Sequence, residues 1–384
     1  MFKLEVLKAK YGDCLILHFG DATSPRRVLI DGGPSWTYEN SLEPRLRVLK
    51  TELDQSVSIE LLMVSHIDVD HIGGVNKLIQ GLAEARDDHL TPLVDIVELW
   101  HNSFADIVPA RTTTSAQPAG IELADLGGKL PGAGLSEGAK LVLAGVKHGR
   151  LLRQLARREQ IQVNHGMAGG LVLAGTELSK DNLKLRVLGP GREEVENLRK
   201  EWDKKVREIL EAEAAVAQAA ERELDGAVAN VSSIVVLAEA EGRRMLLTGD
   251  GRGDRILEEL DQSGLLDGGS IHVDLYKWPH HGSIRNIPEN FFRHVTADHH
   301  VVSADGRHGN PDLETFEQFF AERPRERPFT LHMTYGIADL RSSYPKAKLE
   351  ALFTKARNEG HVFDVNTPQS SGQSLTVDLS LSEN

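Results

Sequence analysis

Apolar and polar positions divide the first hundred residues into short runs. Phe2–Leu7, residues 13–19 and residues 26–31 are apolar-rich and separated by Gly or Pro-Arg turns, which predicts three strands. Residues 59–65 (IELLMVS) form a continuous apolar run, as expected of a strand buried on both faces. A helical pattern over 75–85 and a further strand over 94–100 follow.

From 105 to 138 the chain becomes rich in Gly, Pro, Ser and Thr, which predicts a loop-rich excursion. Residues 148–158 (HGRLLRQLARR) read as a basic helix, and 183–188 as a strand ended by Gly189-Pro190-Gly191. A long helix is predicted over 193–224, with Val195, Leu198, Trp202, Val206 and Ile209 near helical spacing. The opening texture then returns: a hairpin over 232–238 and 244–248, a helix over 252–260 and a strand over 273–277. Strands over 300–304 and 329–334 and helices over 312–321 and 344–358 complete the pattern. The expectation is one α/β (α+β) domain over 1–384, with residues 105–229 as an insertion within it.

A hydrophobic content of 40% and a charged content of 26% suit a globular protein with a sizeable core. The net charge of −13 argues against a broad basic surface for nucleic acid but leaves room for a local basic groove. It also fits a protein that gathers carboxylates around cations. The opening segment lacks the apolar core of a signal peptide, and no stretch is long enough to span a bilayer. A lone cysteine, Cys14, allows neither an internal disulfide nor a cysteine-based zinc cage. These absences predict a cytoplasmic protein with no membrane partner.

Four segments put candidate metal ligands where a strand stops. They are Leu29-Ile30-Asp31-Gly32-Gly33, Ser65-His66-Ile67-Asp68-Val69-Asp70-His71-Ile72-Gly73-Gly74, Leu247-Thr248-Gly249-Asp250-Gly251, and Trp278-Pro279-His280-His281-Gly282-Ser283. The second offers two imidazoles and two carboxylates between a buried strand and a Gly-Gly turn. Adjacent buried carboxylates are costly without compensation, and cations are the natural compensation. A plain polar turn, or a helix start capped by Asp70, is the competing reading. Gly-Asp-Gly alone is often just a turn, and a His pair alone is often structural.

SHIDVDHIGG, LIDGG, LLTGD and PHHGS together resemble the motifs of the metallo-β-lactamase superfamily. More narrowly they resemble the C-terminal hydrolase domain of the bacterial competence channel protein that handles DNA during uptake. That branch is similar in carrying His-x-Asp-x-Asp-His, and Tyr11-Gly12-Asp13 also looks like it. The resemblance covers about residues 1–104 and 230–310. It implies a four-layer αβ/βα sandwich and two divalent metal ions. His66 and Asp68 would hold the first ion, Asp70, His71 and His281 the second, and Asp250 would bridge them. Asp70 and Asp250 would serve catalysis. His101 stands where the superfamily supplies another first-site ligand. Asp31 would orient a ligand, and His280 would touch a metal or a substrate phosphate. Asp68, a hard oxygen ligand, shifts preference from zinc toward manganese, magnesium or iron, so manganese or zinc is expected, with magnesium or iron as further options. Where the branch has Gly-His-Pro, this chain reads Arg307-His308-Gly309-Asn310-Pro311; His308 either faces substrate or is structural.

The resemblance implies a hydrolase using a metal-activated water, acting as a phosphodiesterase or nuclease on nucleic acid or nucleotides. Lys147, Arg150, Arg153, Arg157 and Arg158 offer a basic face for such a substrate, or simply a solvated face of a helix packed through Leu151, Leu152 and Leu155. One alternative is hydrolysis of a small lactone, lactam or thioester. Another is a metal-binding interaction module with partner-dependent activity, in which the insertion and its helix dock a protein partner or a second copy.

Overall fold

The computed structural model describes residues 1–102, 137–197, 232–369 and 373–381, the side chains of 137–146 apart. In chain order the strands are β1 (Phe2–Leu7), β2 (Leu15–Gly20), β3 (Pro25–Ile30), β4 (Val57–Ile59), β5 (Leu61–Val64), β6 (Val94–Ile96), β7 (Glu98–His101), β8 (Gln162–Val163), β9 (Glu177–Lys180), β10 (Leu183–Gly189), β11 (Val235–Ala240), β12 (Arg243–Leu247), β13 (Ile271–Lys277), β14 (Val295–Val302), β15 (Phe329–Met333), β16 (Phe363–Asn366) and β17 (Ser374–Asp378). The longer helices are α1 (Glu43–Leu53), α2 (Val69–Asp87), α3 (Glu137–Arg158), α4 (Gly253–Gln262), α5 (Leu313–Glu322) and α6 (Lys346–Asn358).

Two large sheets result, in the orders β17-β1-β2-β3-β5-β7-β8 and β16-β15-β14-β13-β12-β11-β10-β9. Each is antiparallel at one side and parallel at the other. β3, β5, β7 and β8 run parallel in the first sheet, and β12 to β16 in the second. The side-chain period of two decides the layering. Along β5, Leu61 and Met63 enter a core shared with Met245, Leu247 and Leu275 of the second sheet, while Leu62 and Val64 enter a core with Ile72, Val75 and Leu78 of α2. On the far side, Leu246 and Tyr276 pack with Ile256 of α4, Phe316 of α5 and Phe353 of α6. The order helix, sheet, sheet, helix is the expected four-layer sandwich.

The expected elements form with three informative differences. First, the run 59–65 is divided, with β4 pairing β6 and β5 entering the large sheet. Second, α2 begins at Val69 and runs straight through Gly73-Gly74, which is therefore not a turn. A side chain on Gly74 would strike the carbonyl of Gly32, and the two loops are tied by Gly74 N–H to Gly33 O and Gly32 N–H to His71 O, both 2.8 Å. Third, described parts of the expected insertion, 105–229, pair and pack with the sheets. β8 pairs with β7, β9 and β10 extend the second sheet, and α3 buries Leu152 and Ala156 beside α2. Residues 103–136, and the expected helix beyond residue 197, lie outside the described residues. β17 closes the first sheet against β1.

In the basic helix, Leu152 and Ala156 face the core, and Arg158 binds both carboxylate oxygens of Asp87 at 2.7 Å. Among the described residues, no helix is long and apolar enough to cross a membrane.

Candidate metal centre

Parallel strands present their carboxyl ends together, where ligands bind in open α/β sheets. Asp31 follows β3, Ser65 and His66 follow β5, Asp250 follows β12, and His280 and His281 follow β13. The edges of the two sheets meet here. Ile234 N–H donates to Ser65 O at 2.8 Å, and Asp250 N–H to Ser233 Oγ at 3.0 Å. Gly249, at φ +49°, lies where a side chain would collide with Ser65 and Ser233. Asp68 precedes α2, and Asp70 and His71 occupy its first turn. The positive end of a helix dipole favours carboxylates there.

Three imidazoles are held in one tautomer. His66 Nδ1 lies 3.2 Å from Ser65 Oγ, His71 Nδ1 2.8 Å from Asp31 Oδ2, and His281 Nδ1 2.9 Å from Ser303 O. Each Nδ1–H therefore donates outward, leaving the Nε2 lone pairs to converge. Asp250 receives them: Oδ1 is 3.3 Å from His71 Nε2 and 3.6 Å from His281 Nε2, and Oδ2 is 3.6 Å from His66 Nε2. Asp70 Oδ2 stands 3.5 Å from His281 Nε2 and 3.9 Å from His71 Nε2. The expected orienting role thus fits Asp31, which also accepts Ser65 N–H and Ser65 Oγ–H at 2.7 Å. Asp31, His280 and His281 all take left-handed backbone angles, at φ +58°, +46° and +56°. Such angles in non-glycine residues cluster at functional sites.

The buried atoms His66 Nε2, His71 Nε2, His281 Nε2 and Asp250 Oδ1 have no hydrogen-bond partner. Each such orphan costs about 1–3 kcal/mol, and a cation held among them removes the cost. Two overlapping groups have ligand atoms close enough to share an ion: His66, Asp70 and His71, and Asp13, His71, Asp250 and His281. The donor set is imidazole and carboxylate without thiolate, which suits divalent first-row metals. These residues fit the implied ions.

Of the remaining expected residues, Asp68 sits at the rim, 31% exposed, with Oδ2 3.7 Å from His66 Nε2. His280 is also at the mouth, with Nε2 3.7 Å from Asp250 Oδ2 and Nδ1 2.7 Å from Asn286 Oδ1. Asn286 in turn donates to Asp250 O at 2.9 Å. His308 is exposed and meets Tyr11 edge-on, 5.8 Å between centroids.

His101, like Asp68 and His280, falls in neither ligand group. Trp100 points into the core between the sheets, so strand alternation turns His101 to the other face. There it lies beside Gly149 of α3, whose added Cβ would sit 3.5 Å from its Nε2.

Asp13 is the residue that sequence reasoning left without a role. It is buried within the second group, its Oδ2 contacts the ammonium of fully buried Lys277, and its Oδ1 lies 3.7 Å from His281 Nδ1. The motif Tyr11-Gly12-Asp13 was the available signal.

Burial pulls the His71 imidazole down, but the carboxylates of Asp250, Asp31 and Asp70 outweigh it and raise it well above its ordinary value. Burial also opposes His281, and Asp250 and Asp13 raise it. Burial works against the Asp250 carboxylate, yet the surrounding imidazoles hold it well below its usual range. Burial raises Asp70 as well, but His71 and His281 bring it down to about 2. Burial and the Asp70 carboxylate push Asp68 up to about 7, and burial with His71 lowers His66 to about 4. Carboxylates gathered round a histidine thus hold a proton that an incoming metal ion displaces.

No family model matches the chain, and no curated protein matches it. Among solved structures it is similar to a protein from Parabacteroides distasonis named, by inference, a metal-dependent hydrolase, with 8% identity and a TM-score of 0.34 over 95% of this chain and 93% of that one. It is also similar to CmlA, a diiron β-hydroxylase from Streptomyces venezuelae, with 13% identity and a TM-score of 0.40 over 98% of this chain. That match covers 54% of CmlA, so the chain spans about half its length. At such identities and scores no residue role transfers. The class rests on this chain's own layers and site: a mixed α/β sandwich of metallo-β-lactamase type with a buried His/Asp cluster at its strand ends.

Proposed function

We propose that the protein is a metal-dependent hydrolase that cleaves phosphodiester bonds in nucleic acid or nucleotides. The carrying observation is the gathering of four unpartnered buried ligand atoms, from His66, His71, His281 and Asp250, into two overlapping groups at the strand ends. His66 and Asp68 would hold one divalent ion, Asp70, His71 and His281 a second, with Asp250 between them and manganese or zinc as the metal. Such ions supply an activated water and neutralise charge at the phosphoryl group.

The chain's own residues do the rest. Asp31, Ser65 and Ser303 fix the imidazoles with Nε2 inward, and Ser233 and Asn286 fix Asp250. Asp68, Asp70 and His280 are the partly exposed members, at 31%, 22% and 28%, and mark the mouth. Asp70 orients the attacking water, and His280, held by Asn286, meets the phosphate. The narrower likeness to the competence channel hydrolase domain rests on the motifs and supports a nucleic-acid substrate.

The test is hydrolysis by manganese- and zinc-loaded protein of bis(4-nitrophenyl) phosphate and of a simple lactone. Phosphodiester cleavage abolished by EDTA is expected. Cleavage of the lactone alone would overturn the reading.

A further inference from the structure

We propose that Lys10, Arg307 and Arg341 form a cationic rim beside the metal centre that binds a second phosphate group of the substrate, additional to the phosphodiester being cleaved. The inference rests on the phosphodiesterase reading for its substrate class, but its geometry is independent.

The manner in which these cations are held points to an anion. The Arg307 guanidinium lies 4.2 Å over the Tyr11 ring, and the Lys10 ammonium 3.9 Å over Trp36. Aromatic faces support a cation without neutralising it. The carboxylate bonded into the group is Asp305, which accepts the backbone N–H of Arg307 at 2.9 Å and the guanidinium Nε–H of Arg341 at 3.1 Å. Three cations therefore face one acid, on a chain whose net charge is −13. Burial lowers the Lys10 ammonium first, and the charge of Arg307 lowers it further; Asp305 opposes this, and Arg341 adds to the lowering. An array of like charges is unfavourable by itself, and a bound phosphate relieves it. Guanidinium groups match phosphate oxygens in a bidentate fork.

The rim adjoins the centre through covalent and hydrogen-bonded links. Lys10 and Tyr11 lead directly through Gly12 into Asp13, and Gly12 packs against the backbone carbonyl of Asp70. Ser303 joins both loops: its Oγ–H donates to Gly12 O at 2.8 Å, and its carbonyl accepts His281 Nδ1–H at 2.9 Å. The chain then continues to Asp305 and Arg307. The backbone N–H of Lys10 donates to Tyr335 Oη at 3.0 Å, which fixes its loop. A substrate reaching the mouth at Asp68, Asp70 and His280 meets this rim at its border. A local positive field there concentrates anions despite the overall charge.

The second phosphate has two sources with the same chemistry: the neighbouring phosphodiester of a strand, or a terminal phosphate of a nucleotide. Fluorescence anisotropy of a short labelled oligothymidylate in EDTA reads binding without turnover. Wild type is expected to bind it, and K10Q/R307Q to bind it about tenfold or more weakly. The salt dependence of log K should become shallower by about 1.4, at about 0.7 for each of two lost contacts. Arg307→Lys, which keeps the charge but loses the fork, should bind between wild type and K10Q/R307Q with the wild-type salt dependence, separating lost contact from lost fold. Competition by thymidine 3′,5′-bisphosphate as strong as that by unlabelled strand assigns a terminal phosphate; competition by strand alone assigns the neighbouring diester. Equal affinity of wild type and K10Q/R307Q, or no wild-type binding, overturns the rim. In manganese, the double variant should lose at least tenfold more activity on oligothymidylate than on bis(4-nitrophenyl) phosphate. Variant-sensitive binding without any diester hydrolysis retires the hydrolase reading and leaves the rim standing. Hydrolysis with variant-insensitive binding does the reverse.

Discussion

His71 donates its Nδ1–H to Asp31 Oδ2 over 2.8 Å while its Nε2 faces Asp250 Oδ1 at 3.3 Å, so one carboxylate aims the ring that another receives. Asp31→Asn is the sharp test, because Asn tolerates the left-handed backbone at this position and its Oδ1 still accepts Ser65 N–H. Metal affinity, measured by titration calorimetry, should fall about 10–100-fold with the far-UV circular dichroism unchanged. Wild-type affinity would show that Asp31 does not orient His71.

Lys277 and Asp13 form a fully buried ion pair against the second ligand group. Lys277→Met should destabilise the EDTA-treated protein by roughly 3–5 kcal/mol, because it strands the Asp13 carboxylate. Manganese should restore part of the loss in thermal melts, since the ion replaces the missing charge. D13N/K277M should melt closer to wild type than K277M does. Equal losses with and without metal would contradict Asp13 belonging to the centre.

Gly74 lies where a Cβ would run into the carbonyl of Gly32, and backbone on both sides cannot move aside as a side chain can. Gly74→Ala should cost about 3 kcal/mol, at the upper end of overpacking penalties, and lower the urea midpoint accordingly. A midpoint within experimental error of wild type would mean the loops are not in this contact.

Glu5 gives the acid limb of stability. Burial opposes its charge, but bonds from His18, Arg45 and Ser374 bring it from 4.5 down to about 2. A carboxylate depressed in the folded state stabilises above its unfolded pKa. That contribution, on the order of 3 kcal/mol, is lost as pH falls from about 4.5 to 2. Glu5→Gln should therefore be less stable than wild type near neutrality, with the gap closing over that window. A gap independent of pH would contradict the assignment.

The ligand-dense segment was legible because four candidate ligands between a buried strand and a glycine pair have few structural uses. Asp31, Asp250 and His281 followed from their positions after apolar runs. The glycines themselves misled: Gly73-Gly74 permits close approach of α2 to the Gly32 loop, and local sequence does not distinguish that from a turn. His101 is the last residue of β7, where facing depends on register, and Trp100 takes the inward position. Asp13 offered only the Tyr11-Gly12-Asp13 motif as a signal, since its place in the centre comes from Lys277, which binds it, and Ser303, which binds Gly12 beside it, and only the packed sheets bring these together. β17 pairs with β1 from the opposite end of the described chain, a contact that no local pattern announces.

The central claim is that Asp250 completes a divalent-metal centre with His66, His71 and His281. Equilibrium dialysis against manganese, followed by metal analysis, measures it in wild type and Asp250→Asn alongside thermal melts in EDTA. The account predicts stoichiometric metal on wild type and at least about tenfold weaker retention by Asp250→Asn, no less than the cost of losing a group that merely orients a ligand. Equal retention by both proteins, or none by wild type, would contradict it.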